Sequence, residues 1–184
     1  MARLAPARRE DFPESLLYVW DRLAERGSMP NIYRFMGNNP QLLRGYTRMG
    51  NALWGSAGLD VPTRELAILR VAILLHSPYE WHAHVRIGRA AGLGDERIRA
   101  LHTWQSSELF TPAERAMLAY LDAVVASDHP TIEAHRALEE HFPASAVVGI
   151  NLLAGFYAMT AKFLGAMEVE TEEAFVGWEP GTPA

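Results

Sequence analysis

TRELAILRVAILLHSPYEWHAHVRIGRAAGL, residues 63–93, decides how this chain folds. It reads as two helices joined by a tight turn. Thr63 is the expected cap of the first, whose apolar residues spread round so much of the circumference that the helix must be buried on most sides. His76 closes it. Ser77 then caps a second helix with Pro78 at its first position, running to Ala91 and stopping at Gly92. So short a turn makes the two helices antiparallel neighbours. Glu65 lies far from the turn, but His84 is about two turns into the second helix. A rise of about 1.5 Å per residue carries His84 back along much of the first helix, within reach of Glu65.

The rest of the chain repeats this pattern of Pro, Gly and capping residues between stretches of period-3.6 apolar spacing, with no convincing strand. Asp11-Phe12-Pro13 opens a segment with Leu16, Leu17, Trp20 and Leu23 on one side, closed by Gly27. Asn31 to Met36 forms one or two turns. Asn39 caps a helix with Leu43, Tyr46, Met49 and Leu53 along its apolar stripe. Asp95 begins a short helix to about Thr103, Thr111 caps one to about Ala126, Thr131 one to about His141, and Pro143 opens a long apolar one through Met167. The fold class is all-α, a helical bundle in a single domain spanning 1–184, with a tail over 168–184 that is loose or wraps a neighbour. Ser77-Pro78-Tyr79-Glu80 and Thr111-Pro112-Ala113-Glu114 recur 34 residues apart, but the sequence around them does not, so they are a shared cap rather than a repeat.

Composition narrows the function. Apolar residues make up 49% and charged residues 21% of the 184, as in a globular protein, and the net charge of -5 with no basic run gives no footprint for nucleic acid or an anionic membrane. The apolar run from Ala146 to Ala161 is broken by Asn151 and is short for a bilayer, which favours a core helix. The N-terminal MARLAPARRED lacks a secretory h-region, so a cytoplasmic protein is expected. With no cysteine, disulfides, thiolate nucleophiles and Cys-ligated metals are excluded.

Three histidines, two acids and a tyrosine remain as candidate chemistry. Ser77 and Glu80 have a structural account as a capping box, the hydroxyl taking the N3 amide and the carboxylate reaching back. Glu65, at the second helical position, has one as an acid favouring the helix dipole. His84 is harder to dismiss: it shares a face with Glu80 at i+4, where the equivalent place in the Thr111 helix is the apolar Leu118. His76, Glu80 and His84 at i, i+4 and i+8 have the spacing of a metal site, but the Ser77 cap puts His76 outside the helix. His82 falls on a solvent or subunit face.

These residues resemble the carboxymuconolactone decarboxylase family, which includes the alkyl hydroperoxide reductase partner proteins. The resemblance covers most of 30–167, through PNIYRFMGNNPQLL, the stretch quoted above, and FTPAERAMLAYLDAV. In the peroxidase branch a glutamate precedes Cys-x-x-Cys-x-x-x-His; here the glutamate matches Glu65, the cysteines match Ser77 and Glu80, and the histidine matches His84. Without thiols, hydroperoxide reduction by that route is excluded. The resemblance implies a proton relay through Glu65 and His84, a trimeric or hexameric assembly, and a decarboxylase-like lyase or isomerase without cofactor or metal. Its substrate would be a small unsaturated or lactone-type organic acid. On that reading His84, Glu65, Glu80 and Tyr79 are the catalytic candidates, and Ser77, Arg70 and Tyr157 the substrate-binding ones, Arg70 for a carboxylate. Asn151 and Thr160 can line the same pocket. The rival readings are a member of the fold that only binds and, third, a metal-dependent hydrolase.

Overall fold

The computed structural model describes residues 2–25, 27, 29–127 and 130–179, and among them every regular element is helical. Two short 3-10 turns, Arg9–Asp11 and Glu14–Leu16, lead into α1 (Leu17–Ala24), α2 (Asn31–Met36), α3 (Pro40–Ser56), α4 (Val61–Leu74) and α5 (Pro78–Ala90). Then come α6 (Asp95–Ala100) with a 3-10 continuation over Leu101–Ser106, α7 (Pro112–Ala126), α8 (Ile132–Glu139) and α9 (Ala144–Met167).

α4 is the axis of the bundle. It packs on α5, α7 and α9, and the run from Arg64 to Ala72 is buried throughout, as a helix apolar on most sides requires. Its start differs from the expected cap at Thr63. Asp60 Oδ1 accepts the Thr63 amide at 2.8 Å and Pro62 sits in the first turn, so the helix begins at Val61. Glu65 is thereby moved inward from the helix end, out of the position where an acid mainly serves the dipole. At α3 the expected cap forms, Asn39 Oδ1 accepting the Leu42 amide at 3.2 Å.

α9, with 24 residues and a mean hydropathy of 1.5, is long and apolar enough to cross a membrane, but 56% of that window is buried within the bundle. Ile150, Leu153, Ala154, Tyr157, Ala161 and Leu164 face inward, while Val148, Leu152 and Met159 are exposed along the opposite side. Gly149 brings its first turns against the α3–α4 link: a Cβ there would overlap the Ala57 backbone.

The described part of the tail lies along the outer face of α5. Trp81 Nε1 donates to the Gly177 carbonyl at 2.7 Å, the Val176 amide donates to His82 Nδ1 at 3.1 Å, and His102 Nε2 donates to the Trp178 carbonyl at 2.9 Å. His82, expected on a solvent or subunit face, is therefore buried beneath this strap. Pro180, Gly181 and Pro183 of the tail lie outside the described residues.

Candidate active site

α4 and α5 run antiparallel from the His76-Ser77 turn, and the register brings Glu65 and His84 together. His84 Nδ1 is 2.6 Å from Glu65 Oε2, with the Glu65 side chain fully buried. A carboxylate oxygen only accepts, so Nδ1 carries the proton and the reactive nitrogen is Nε2. The other carboxylate oxygen is held by the neighbouring residue: Arg64 Nε and Nη2 donate to Glu65 Oε1 at 3.0 and 2.9 Å. Arg64 is itself fixed, Nη1 donating to the Trp54 carbonyl at 3.0 Å while the guanidinium lies 4.2 Å over the Trp54 ring. The result is a line of groups, Arg64, Glu65, His84, in which each orients the next.

The line continues to Glu80. His84 Nε2 faces Glu80 Oε2 at 3.5 Å, longer than an ordinary hydrogen bond but close enough for strong electrostatic coupling. Glu80 is buried, and loss of solvent, opposed by His84 and reinforced by Glu65, pushes its carboxyl up to about 7. A group that loses its proton near pH 7 is suited to acid–base work. Burial likewise lifts the Tyr157 and Tyr46 hydroxyls far above the usual phenol range, with Glu80 adding to each, so both stay protonated.

Aromatic rings enclose this line. His84 meets the Tyr157 ring edge-on at 5.1 Å and the Trp54 ring at 6.1 Å, and Trp54 Nε1 donates to the Tyr157 hydroxyl at 2.9 Å. Tyr46 stacks on Phe156 at 4.6 Å. Thr160 Oγ1 donates to the Phe156 carbonyl at 2.8 Å, so the Tyr46 hydroxyl, 3.0 Å away, donates to Thr160.

The expected capping box at Ser77 does not form. Its control, Thr111, does close one: the Thr111 amide donates to Glu114 Oε2 at 2.8 Å and the Glu114 amide to Thr111 Oγ1 at 3.3 Å. At α5 the Ser77 side chain makes no cap bond, its Oγ is buried without a partner, and the Glu80 carboxyl turns inward to His84. The difference lies in what the turn packs against, since Glu80 is drawn to a buried imidazole that α7 lacks at the equivalent Leu118.

The structure thus gathers Glu65, Glu80, His84 and Tyr157, and Ser77 stands at the N-cap of α5, three residues before Glu80. Two other expected residues are elsewhere. Tyr79 points away, its hydroxyl donating to Glu172 Oε1 at 2.5 Å and accepting the Ile32 amide at 3.2 Å, so it is not placed to serve an oxyanion beside His84. Arg70 is committed to Asp122 at 2.6 and 2.9 Å and to the Leu101 carbonyl at 2.8 Å, which leaves it no geometry for a substrate carboxylate. Asn151 donates to Tyr120 at 2.9 Å, away from the pair, and His76 is exposed on the turn with a positive φ of 47°. Arg64, Trp54 and Tyr46 were not expected. Arg64 adjoins Glu65 in sequence, but nothing local says that a guanidinium will fold back on its neighbour's carboxylate.

Residues 40–123 match the carboxymuconolactone decarboxylase family. The uncharacterized protein YnjA of Escherichia coli K12 is 28% identical over 89 residues, 48% of either chain, so the match spans about half the length of that curated relative. Among solved structures, the debrominase Bmp8 in complex with 2,3,4-tribromopyrrole superposes with a TM-score of 0.79 over 95% of each chain at 18% identity. An uncharacterized peroxidase-related protein of Ralstonia eutropha JMP134, described as an alkylhydroperoxidase AhpD core, gives 0.82 over 100% of this chain and 98% of its own, also at 18% identity. These likenesses show the fold.

Proposed function

We propose that this cysteine-free chain, whose residues 40–123 match the carboxymuconolactone decarboxylase family, is a cofactor-free acid–base enzyme, a decarboxylase-like lyase or an isomerase, acting on a small unsaturated or lactone-type organic acid. The observation that carries the reading is the buried line Arg64, Glu65, His84, Glu80, in which Glu65 holds His84 Nδ1 at 2.6 Å and Nε2 faces the Glu80 carboxyl at 3.5 Å.

In an isomerisation, His84 Nε2 takes a proton from carbon and the electron pair passes into the substrate's conjugated carbonyl. Protonated Glu80 then delivers its proton to a second carbon, and the imidazolium returns the first proton to Glu80. In a decarboxylation the carbon–carboxylate bond breaks instead, carbon dioxide leaves, the same carbonyl receives the electrons, and Glu80 protonates the dienolate and then regains a proton from solvent. Glu65 stabilises the imidazolium in the first case and fixes the ring in both.

A screen of unsaturated acids and lactones for turnover tests the proposal. Once a substrate is found, His84→Ala and Glu80→Gln are each expected to lower kcat by a factor of ~10²–10⁴. Unchanged turnover in both, with only thermal stability reduced, would remove His84 and Glu80 from the chemistry, and no turnover of any such acid would favour the rival reading of a fold kept for binding alone.

A homo-oligomer, trimer or hexamer, goes with this reading. Its support is the exposed apolar side of α9, where Val148 and Leu152 with Met49 of α3 line a groove. Light scattering is expected to give the mass of three or six chains, and Leu152→Glu to shift it to the monomer.

A further inference from the structure

The first turn of α5 is unfinished. A helix of 13 residues starts here, yet Ser77 makes no side-chain cap bond, and Pro78 has no amide hydrogen to offer. The first backbone hydrogen bond across the turn is that of the Trp81 amide to the Ser77 carbonyl, 3.1 Å long, so the Tyr79 and Glu80 amides are left with the positive end of the helix and no cap. Ser77 itself is 4% exposed, and its Oγ has no hydrogen-bond partner. A buried hydroxyl without a partner is rare in a folded chain and calls for an explanation. The chain is able to finish such a turn, because Thr111 and Glu114 do so at α7.

The open turn adjoins the acid–base line. Ser77 caps α5, and Glu80 and His84 follow it at i+3 and i+7 on one face of the helix, so the open turn leads directly onto that face. An acceptor lodged at Ser77 would therefore sit next to Glu80 and within a turn or two of His84 Nε2. Neither Arg64 nor Arg70 is free to take that role: Arg64 is spent on Glu65 and Trp54, and Arg70 on Asp122 and Leu101.

We infer that Ser77 Oγ, with the Tyr79 and Glu80 amides, forms an oxyanion subsite. It receives the substrate's carbonyl oxygen and holds it as the enolate develops. The inference rests on the acid–base reading above and supplies the part that reading lacked, a donor set for the charge that leaves carbon. The titratable groups that interact with Glu80 are His84 and Tyr79 from α5, Glu65 from α4, Tyr46 from α3 and Tyr157 from α9, while Glu172 of the tail pairs with Tyr79 and His76 directly precedes Ser77. Ionised Glu80 itself is the group that opposes a bound anion at closest range. The subsite works while Glu80 is protonated, below about pH 7.

Acetate, a small oxyanion, serves as the probe in an amide-resolved NMR titration of the full chain at about pH 6. Saturable shifts centred on the Tyr79 and Glu80 amides are expected, with affinity about 10-fold or more weaker in Ser77→Ala and recovered in Ser77→Thr. Melting of each variant confirms that it folds. Unchanged acetate affinity in folded Ser77→Ala, or shifts centred away from this turn, would overturn the subsite. The titration reads binding alone, so the two proposals fail separately. Ser77-dependent binding without turnover of any unsaturated acid keeps the subsite and removes the acid–base reading; turnover with Ser77-independent binding does the reverse.

Discussion

Glu80 is the side chain whose behaviour departs most from what its sequence position suggests. As a capping residue it would be half-solvated and anionic. Buried against His84, it keeps its proton up to about pH 7, where an exposed glutamate loses it near 4.5. Between those values the folded state binds more protons than the unfolded one, so this group's contribution to stability is full below the lower value and is lost as pH rises through the upper. Glu80→Gln removes that dependence. Urea unfolding at a series of pH values is expected to show the variant gaining roughly 1–3 kcal/mol relative to the native chain between about pH 5 and pH 8. An equal pH slope in both would mean that Glu80 titrates like a solvated acid. Much of this was legible in outline: helical rise alone placed Glu65 opposite His84, and i, i+4 spacing put Glu80 on the His84 face. What was hidden was the choice Glu80 makes between two partners within reach, its own helix end and the imidazole. That choice depends on burial by Tyr46 and Tyr157, which come from helices far away in sequence.

At the scale of the helix, two turns with the same local sequence have different fates. Thr111-Pro-Ala-Glu closes its box, and Ser77-Pro-Tyr-Glu does not. Thr111→Ala is therefore expected to lower stability by about 1 kcal/mol, while Ser77→Ala, with no cap bond to lose, leaves it unchanged or slightly raised, as chemical denaturation of the two variants will show. Helix boundaries were read with useful accuracy wherever the cap chemistry acts locally, as at Asn39, Thr111 and Thr131. They were misread at α4, where Thr63 and Asp60 are both good caps and the apolar pattern does not begin until after both. The two-residue Val61-Pro62 extension is compatible with either start, and a Pro in the first turn was the signal that favoured Asp60.

For the molecule as a whole, the sequence announced an all-helical bundle because a helix apolar on most sides, such as 64–75, needs partners on most sides. It could not announce which partners, since α7 and α9 offer similar apolar stripes. One close approach makes their arrangement specific. Gly149 lets α9 lie against the backbone of the α3–α4 link, and Gly149→Ala would force the two apart. A loss of about 1–3 kcal/mol is expected for that variant in equilibrium unfolding; a neutral effect would show that α9 shifts freely over the link. The tail escaped prediction for a related reason: its composition reads as loose, and only the assembled α5 and the turn after α6 present the indole and imidazole groups that hold its backbone. That arrangement also equips the molecule with a built-in optical gauge. The Trp81 and Trp178 rings stand 6.1 Å apart and tilted by 34°, close enough for their excited states to mix. The circular dichroism of that indole pair is a direct reading of whether the tail is seated on α5, with no label attached.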